Sequence, residues 1–164
     1  MQPIVFNLEK LPDWFGVIPE IVLFVFAAAV ILLDLFLNQK KVLAVISMIG
    51  IVISGLFSLS LWNVHVTFFN GLLTVDSFAV FFKLLFLGIA FMLVLVSEDY
   101  ASNFRSLRGE YYALLLIATV GMMLMAAASD LTTIYLSLEL TGISLYALVG
   151  FLKDRKSTEA AIKY

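Results

Sequence analysis

The sequence contains no cysteine and one histidine in 164 residues. Disulfides and thiolate metal sites are therefore excluded, and haem or iron–sulfur ligation has no set of ligands to rest on. Any redox chemistry must belong to a partner. Charge is also scarce: Asp, Glu, Lys and Arg make up 13% of the chain, against roughly 25% in an average soluble domain. With 63% hydrophobic residues and a mean hydropathy of +1.08, the chain cannot cover a water-facing surface. It reads as an integral membrane protein. Net charge is −2 and no basic run is present, so nucleic acid is not an expected partner. Glycine-rich phosphate loops, metal-spaced ligand clusters and nucleophile–base signatures are missing too.

What the chain does have is long apolar runs. A bilayer crossing needs ~20 predominantly apolar residues, and five stretches meet that length: Val17 to Leu37, Val42 to Trp62, Leu73 to Ser97, Tyr111 to Ala128 and Asp130 to Leu152. Pro19 falls in the first turn of its span, where proline is tolerated. The connections are short, so the expected fold is all-α, a polytopic transmembrane bundle in one domain. The tail, residues 157–164, reads as the start of a sixth helix, with Ser157 or Thr158 as cap and Glu159 four residues before Lys163. A helix begun and not finished suggests an incomplete chain. The polar first residues lack a basic region leading into a short apolar core, so a cleaved signal peptide is not expected.

Basic residues set an orientation. Lys40 and Lys41, Arg105 and Arg108, and Lys153, Arg155 and Lys156 fall in alternate connections. The positive-inside rule then places those three connections in the cytoplasm and the N-terminus outside.

The fifth span, DLTTIYLSLELTGISLYALVGFL, organises the functional reading. It carries Glu139 near its middle with no other acid or base inside the span. An ionised group at the bilayer centre costs at least ~3 kcal/mol, and such residues mark ion pathways. At ~100° per residue, Thr132, Tyr135, Gly142 and Tyr146 share the face of Glu139. Tyr135 and Tyr146 are therefore candidates to line a path. The opposite face, with Thr133, Ser137, Thr141 and Ser144, is a small-residue stripe suited to helix packing. On span three, Lys83 lies about nine residues from the outer end, as Glu139 does on span five, and both come out ~13 Å deep. An acid and a base at matching depth form either a packing ion pair or a titratable pair on a proton path. Asp76, seven residues before Lys83 and on its face, is a possible relay carboxylate. Glu20 and Asp34 read as boundary residues, His65 as solvated, and Asp130 as the cap of span five. Ser47, Gly50, Ser54 and Ser58 mark a close-packing face of span two, and Met122, Met123 and Met125 read as filler.

Residues 109–164, GEYYALLLIATVGMMLMAAASDLTTIYLSLELTGISLYALVGFLKDRKSTEAAIKY, closely resemble subunit N of proton-pumping NADH-quinone oxidoreductase, respiratory complex I. VIPEIVLFVFAAAVILLDLF and TVDSFAVFFKLLFLGIAFMLVLVS are similar to that family's first and third helices. Leu138 before Glu139, where sibling subunits usually carry tryptophan, favours subunit N. The resemblance implies a chain truncated relative to an antiporter-like fold of about fourteen spans. It implies that Glu139 is the key carboxylate of proton translocation and that Lys163 sits near the cytoplasmic approach to the path. It also implies other complex I membrane subunits and the lipid bilayer as partners, and a bacterial plasma membrane location. No cofactor is expected on this chain: NADH, FMN, iron–sulfur clusters and quinone belong to partner subunits. Two other functions stay open: a subunit of a multisubunit sodium/proton antiporter or membrane-bound hydrogenase, and a structural scaffold.

Overall fold

The computed structural model describes residues 12–37, 41–101 and 108–151, with Glu159, Ile162 and Lys163; side chains are described outside 98–101. Lys40, Arg105, Lys153, Arg155 and Lys156 lie outside the described residues, as does most of the expected start of a sixth helix. A 3-10 helix, Asp13–Val17, leads into α1, Ile18–Phe36. The bundle continues with α2, Lys41–Ser60, α3, Ser77–Ala101, α4, Arg108–Ala127, and α5, Leu131–Val149. These five helices are each long and apolar enough to cross a membrane. Phe24, Leu32, Leu56 and Val96 are exposed on their outer faces, as lipid-facing residues should be.

Between lipid-solvated helices there is little hydrophobic driving force, so close packing and small residues must hold them together. The small-residue face of α2 does this: Ser47, Gly50, Ser54 and Ser58 are all buried. The Phe26 ring occupies the space a Cβ on Gly50 would need, 2.6 Å away. Ser54 Oγ donates to the Pro19 carbonyl at 2.8 Å, tying α2 to the first turn of α1. Helix α4 is the most buried of the five and lies between α3 and α5, while α5 is the least buried. Leu23, Leu43, Leu87, Val94, Leu116 and Met123 form the centre of the main core.

The third span differs from its expected start at Leu73. Leu73–Val75 is a strand, β2, paired antiparallel with β1, Val66–Phe68, in the register Val66–Val75, Thr67–Thr74 and Phe68–Leu73. The reason is local chemistry. Phe69, Asn70 and Gly71 have φ of 54°, 55° and 92°, and an Asn-Gly pair between β-branched and aromatic residues favours a tight reversal. Helix α3 starts only where Asp76 can cap it, its Oδ1 accepting from the Ala79 N–H at 2.7 Å. The hairpin closes one end of the bundle. Ser129 N–H donates to the Leu72 carbonyl at 2.9 Å, and Ser129 Oγ donates to Thr74 Oγ1 at 2.6 Å. A second core of Leu61, Phe68, Leu73, Val75, Val80 and Ala127 sits beneath it.

Candidate proton-translocation site

Helix α5 has two chemically distinct faces. Asp130 caps it, Oδ2 accepting from Thr132 N–H at 3.0 Å and Oδ1 from Thr133 N–H at 3.2 Å. The bond to Thr133 leads in holding the Asp130 carboxyl below its ordinary value of 3.8. Further along, Ser137, Thr141 and Ser144 are buried. A Cβ on Gly121 of α4 would lie 2.4 Å from Thr141 Oγ1, so the absence of a side chain there lets the two helices touch. Two of the stripe's hydroxyls are satisfied within α5, Thr141 Oγ1 donating to the Ser137 carbonyl at 2.9 Å and Ser144 Oγ to the Leu140 carbonyl at 2.8 Å.

Turning the small stripe to α4 turns the Glu139 face outward. Glu139, one residue before the midpoint of α5, is exposed, as are Thr132, Tyr135 and Tyr146. The Tyr135 hydroxyl, one turn earlier, lies beside the Glu139 carboxylate. Tyr146 folds back along the helix until its hydroxyl lies 3.4 Å from where a Gly142 Cβ would stand. A groove of about 250 Å³ results, lined by Glu139, Leu138, Thr141, Gly142, Leu145 and Tyr146. A mid-membrane carboxylate flanked by two phenols can accept a proton, or a cation from another element. Among the described residues no ammonium or guanidinium pairs with it; Lys83 pairs with Glu20 and Lys163 with Glu159 instead.

The structure thus separates Lys83 from Glu139, which matching depth had suggested as a pair. Helix α4 stands between α3 and α5. Side chains on a helix lean toward its N-terminus, and that lean carries Lys83 to the starting ends of α1 and α3. Its Nζ lies 2.7 Å from Glu20 Oε1 and donates to the Gly16 carbonyl at 3.3 Å. Lys83 is fully buried and Glu20 is 3% exposed, so Glu20 is an interior residue rather than the boundary residue its sequence position suggests. Its signal was present: it is the one acid in the first turn of a span that has no base of its own. Asp76 serves as the cap of α3. Lys163 is exposed and paired with Glu159 one turn before it, 2.5 Å away.

Residues 128–164, which contain α5, Glu139 and Lys163, match the family described as NADH:quinone oxidoreductase/Mrp antiporter, transmembrane. Over 89% of its length the chain is 43% identical to NADH-quinone oxidoreductase subunit N of Dehalococcoides mccartyi, covering 30% of that protein. Over 90% it is 46% identical to subunit N of Trichlorobacter lovleyi, covering 31% of it. The chain belongs to the subunit N family. It spans about 30% of the length of these curated relatives. The motif SLEL around Glu139 falls inside the stretch that matches the NADH:quinone oxidoreductase/Mrp antiporter family, and Glu20 and Lys83 fall outside that stretch.

Proposed function

We propose that this chain is a proton-translocating membrane subunit of an NADH-quinone oxidoreductase. Partner subunits bind NADH, FMN, iron–sulfur clusters and quinone and move the electrons, while this chain moves protons. One observation carries the reading: a carboxylate sits at the middle of a membrane-spanning helix, on the face that none of the other four helices covers. A charge held there costs several kcal/mol unless it is neutralised, and Glu139 has a phenol partner but no cation among the described residues. When a cation approaches from outside these five spans, the carboxylate is stabilised and gives up its proton. When the cation withdraws, the carboxylate takes a proton up. Tyr135 and Tyr146 hold water and the carboxyl group in line. The relatives' printed names support the NADH-quinone assignment.

In this reading the N-terminus and hairpin face outward from a bacterial plasma membrane, with the basic connections in the cytoplasm. The matched family also spans antiporters, so the test must separate the two. Membranes carrying the chain are given NADH and quinone with and without sodium. Proton movement that starts with NADH and does not need sodium supports the proposal. Proton movement that requires a sodium gradient and ignores NADH assigns the chain to an antiporter instead.

A further inference from the structure

Glu139 stands between two phenols of its own helix. Tyr135, one turn toward the hairpin end of α5, has its hydroxyl beside the carboxylate. Tyr146 lies seven residues on, two turns toward the other end. Its side chain leans back toward the helix N-terminus, as helical side chains do. That lean brings the hydroxyl to the level of Gly142, three residues or about 4.5 Å past Glu139. Gly142 offers no side chain there: a Cβ would meet the Tyr146 hydroxyl at 3.4 Å and ring carbons at 3.5 and 3.6 Å. The clearance over Gly142 is the groove of about 250 Å³ that Glu139 and Tyr146 both line.

Both phenols suit a carboxyl group. In hydrocarbon that group is costly without a hydrogen-bond partner, whether ionised or protonated. A phenol serves either form, donating to the carboxylate and accepting from the acid. Of the other groove residues, Leu138 and Leu145 are apolar and the Thr141 hydroxyl donates to the Ser137 carbonyl. The Tyr146 hydroxyl is thus the polar group that faces Glu139 across the groove. Helix α4, packed against α5, carries Arg108, Glu110, Tyr111 and Tyr112 at its start. These lie nine or more residues from the Gly121 that abuts Thr141, at least ~13 Å along the axis.

We propose that the Glu139 carboxyl has two stations, one at Tyr135 and one across the groove at Tyr146, and that Gly142 is the positioning residue whose missing side chain lets it move between them. The inference rests on Glu139 being the proton carrier proposed above. Rotation about the side-chain torsions makes the move. No covalent bond breaks in it, and the proton, when present, rides on the carboxyl oxygen. A carrier with one station returns its proton to the side that supplied it. Two stations at different depths separate uptake from release.

The test records infrared spectra of the assembled complex while the pH is stepped. Two protonated-carboxyl components should appear, both absent in Glu139→Gln. Tyr135→Phe should shift one and Tyr146→Phe the other. Gly142→Leu fills the groove, so the Tyr146 component should go and proton movement should slow about 100-fold, the scale at which a reacting group displaced by ~1 Å is felt. Glycine is a poor helix former, so the thermal midpoint of that variant should hold or rise. Where Gly142→Leu fails to assemble, Gly142→Ala decides: its Cβ would meet Tyr146 at ordinary contact distance, so it should assemble with a weakened Tyr146 component. A single component insensitive to Tyr146, or parental proton movement in Gly142→Leu, overturns the proposal. Slowing that comes only with lost stability assigns Gly142 to packing and overturns it as well. Parental proton movement in Glu139→Gln, with both components present in the unaltered complex, would instead defeat the carrier reading and leave the two stations standing.

Discussion

Lys83 Nζ and Glu20 Oε1 stand 2.7 Å apart with both residues buried, joining α3 to the first turn of α1. Removing one partner of a buried pair strands the other and costs about 3–5 kcal/mol, whereas replacing both with neutral residues is often tolerated. Lys83→Met alone should therefore lower the thermal midpoint of the purified complex, and so should Glu20→Gln alone. The double variant should recover most of the loss. Equal losses in the double and single variants would mean that the two residues are not coupled.

Gly16 is needed because Phe68 lies on it. A methyl group there would meet the ring at 2.4 Å, and overpacking of this kind costs about 1–3 kcal/mol. Gly16→Ala should destabilise the hairpin end and disturb the carbonyl that receives Lys83. Adding Phe68→Leu should return part of the stability by making room. Limited proteolysis in the 61–76 segment gives the readout: faster cutting in the single variant, slower again in the pair.

Gly121 plays the same part for α5. Its missing Cβ would lie 2.4 Å from Thr141 Oγ1 and 2.9 Å from the Thr141 backbone nitrogen. Backbone cannot move aside as a flexible side chain can, so Gly121→Val should push α5 off α4 at a cost of about 1–3 kcal/mol. Because the same helix aims Glu139 outward, proton movement should fall along with stability. Cross-linking between paired cysteines introduced at 120 and 137 would report the separation directly.

Asp130 brings a pH dependence to the end of α5. Its hydrogen bond with Thr133 leads in holding the carboxyl below the ordinary value of 3.8. A depressed carboxyl contributes stability that is fully present above the unfolded value and is lost as pH falls through the folded one. Amide-exchange protection at Thr132 and Thr133, taken relative to the intrinsic rate at each pH, should accordingly hold at neutral pH and fall only below about pH 3.8. Asp130→Asn, which keeps a capping oxygen, should remove that pH dependence.

Much of this was legible in the residues. Hydropathy marked five crossings because lipid admits only helices whose backbone is satisfied internally. The small stripe of Ser137, Thr141 and Ser144 and the α2 face of Ser47, Gly50, Ser54 and Ser58 were read from spacing, since close helix contact selects for small side chains. The hairpin was less visible because Leu72, Leu73 and Val75 are as apolar as a helix start. Asn70–Gly71 carried the signal for the reversal. The pairing of Lys83 was legible only in part: Glu20 stood out as an acid in a span with no base, but depth along a helix says nothing about which helices are neighbours, and α4 separates the two that depth had matched.

Glu139 sits at the middle of α5 with its face turned from α1 to α4, and the whole account depends on its proton coming and going. The most direct measurement is the number of protons moved per electron in the complex carrying Glu139→Gln, with assembly checked alongside. The account predicts normal assembly and a lowered ratio, since Gln keeps the shape and loses the exchangeable proton. An unchanged ratio in a fully assembled complex would contradict it.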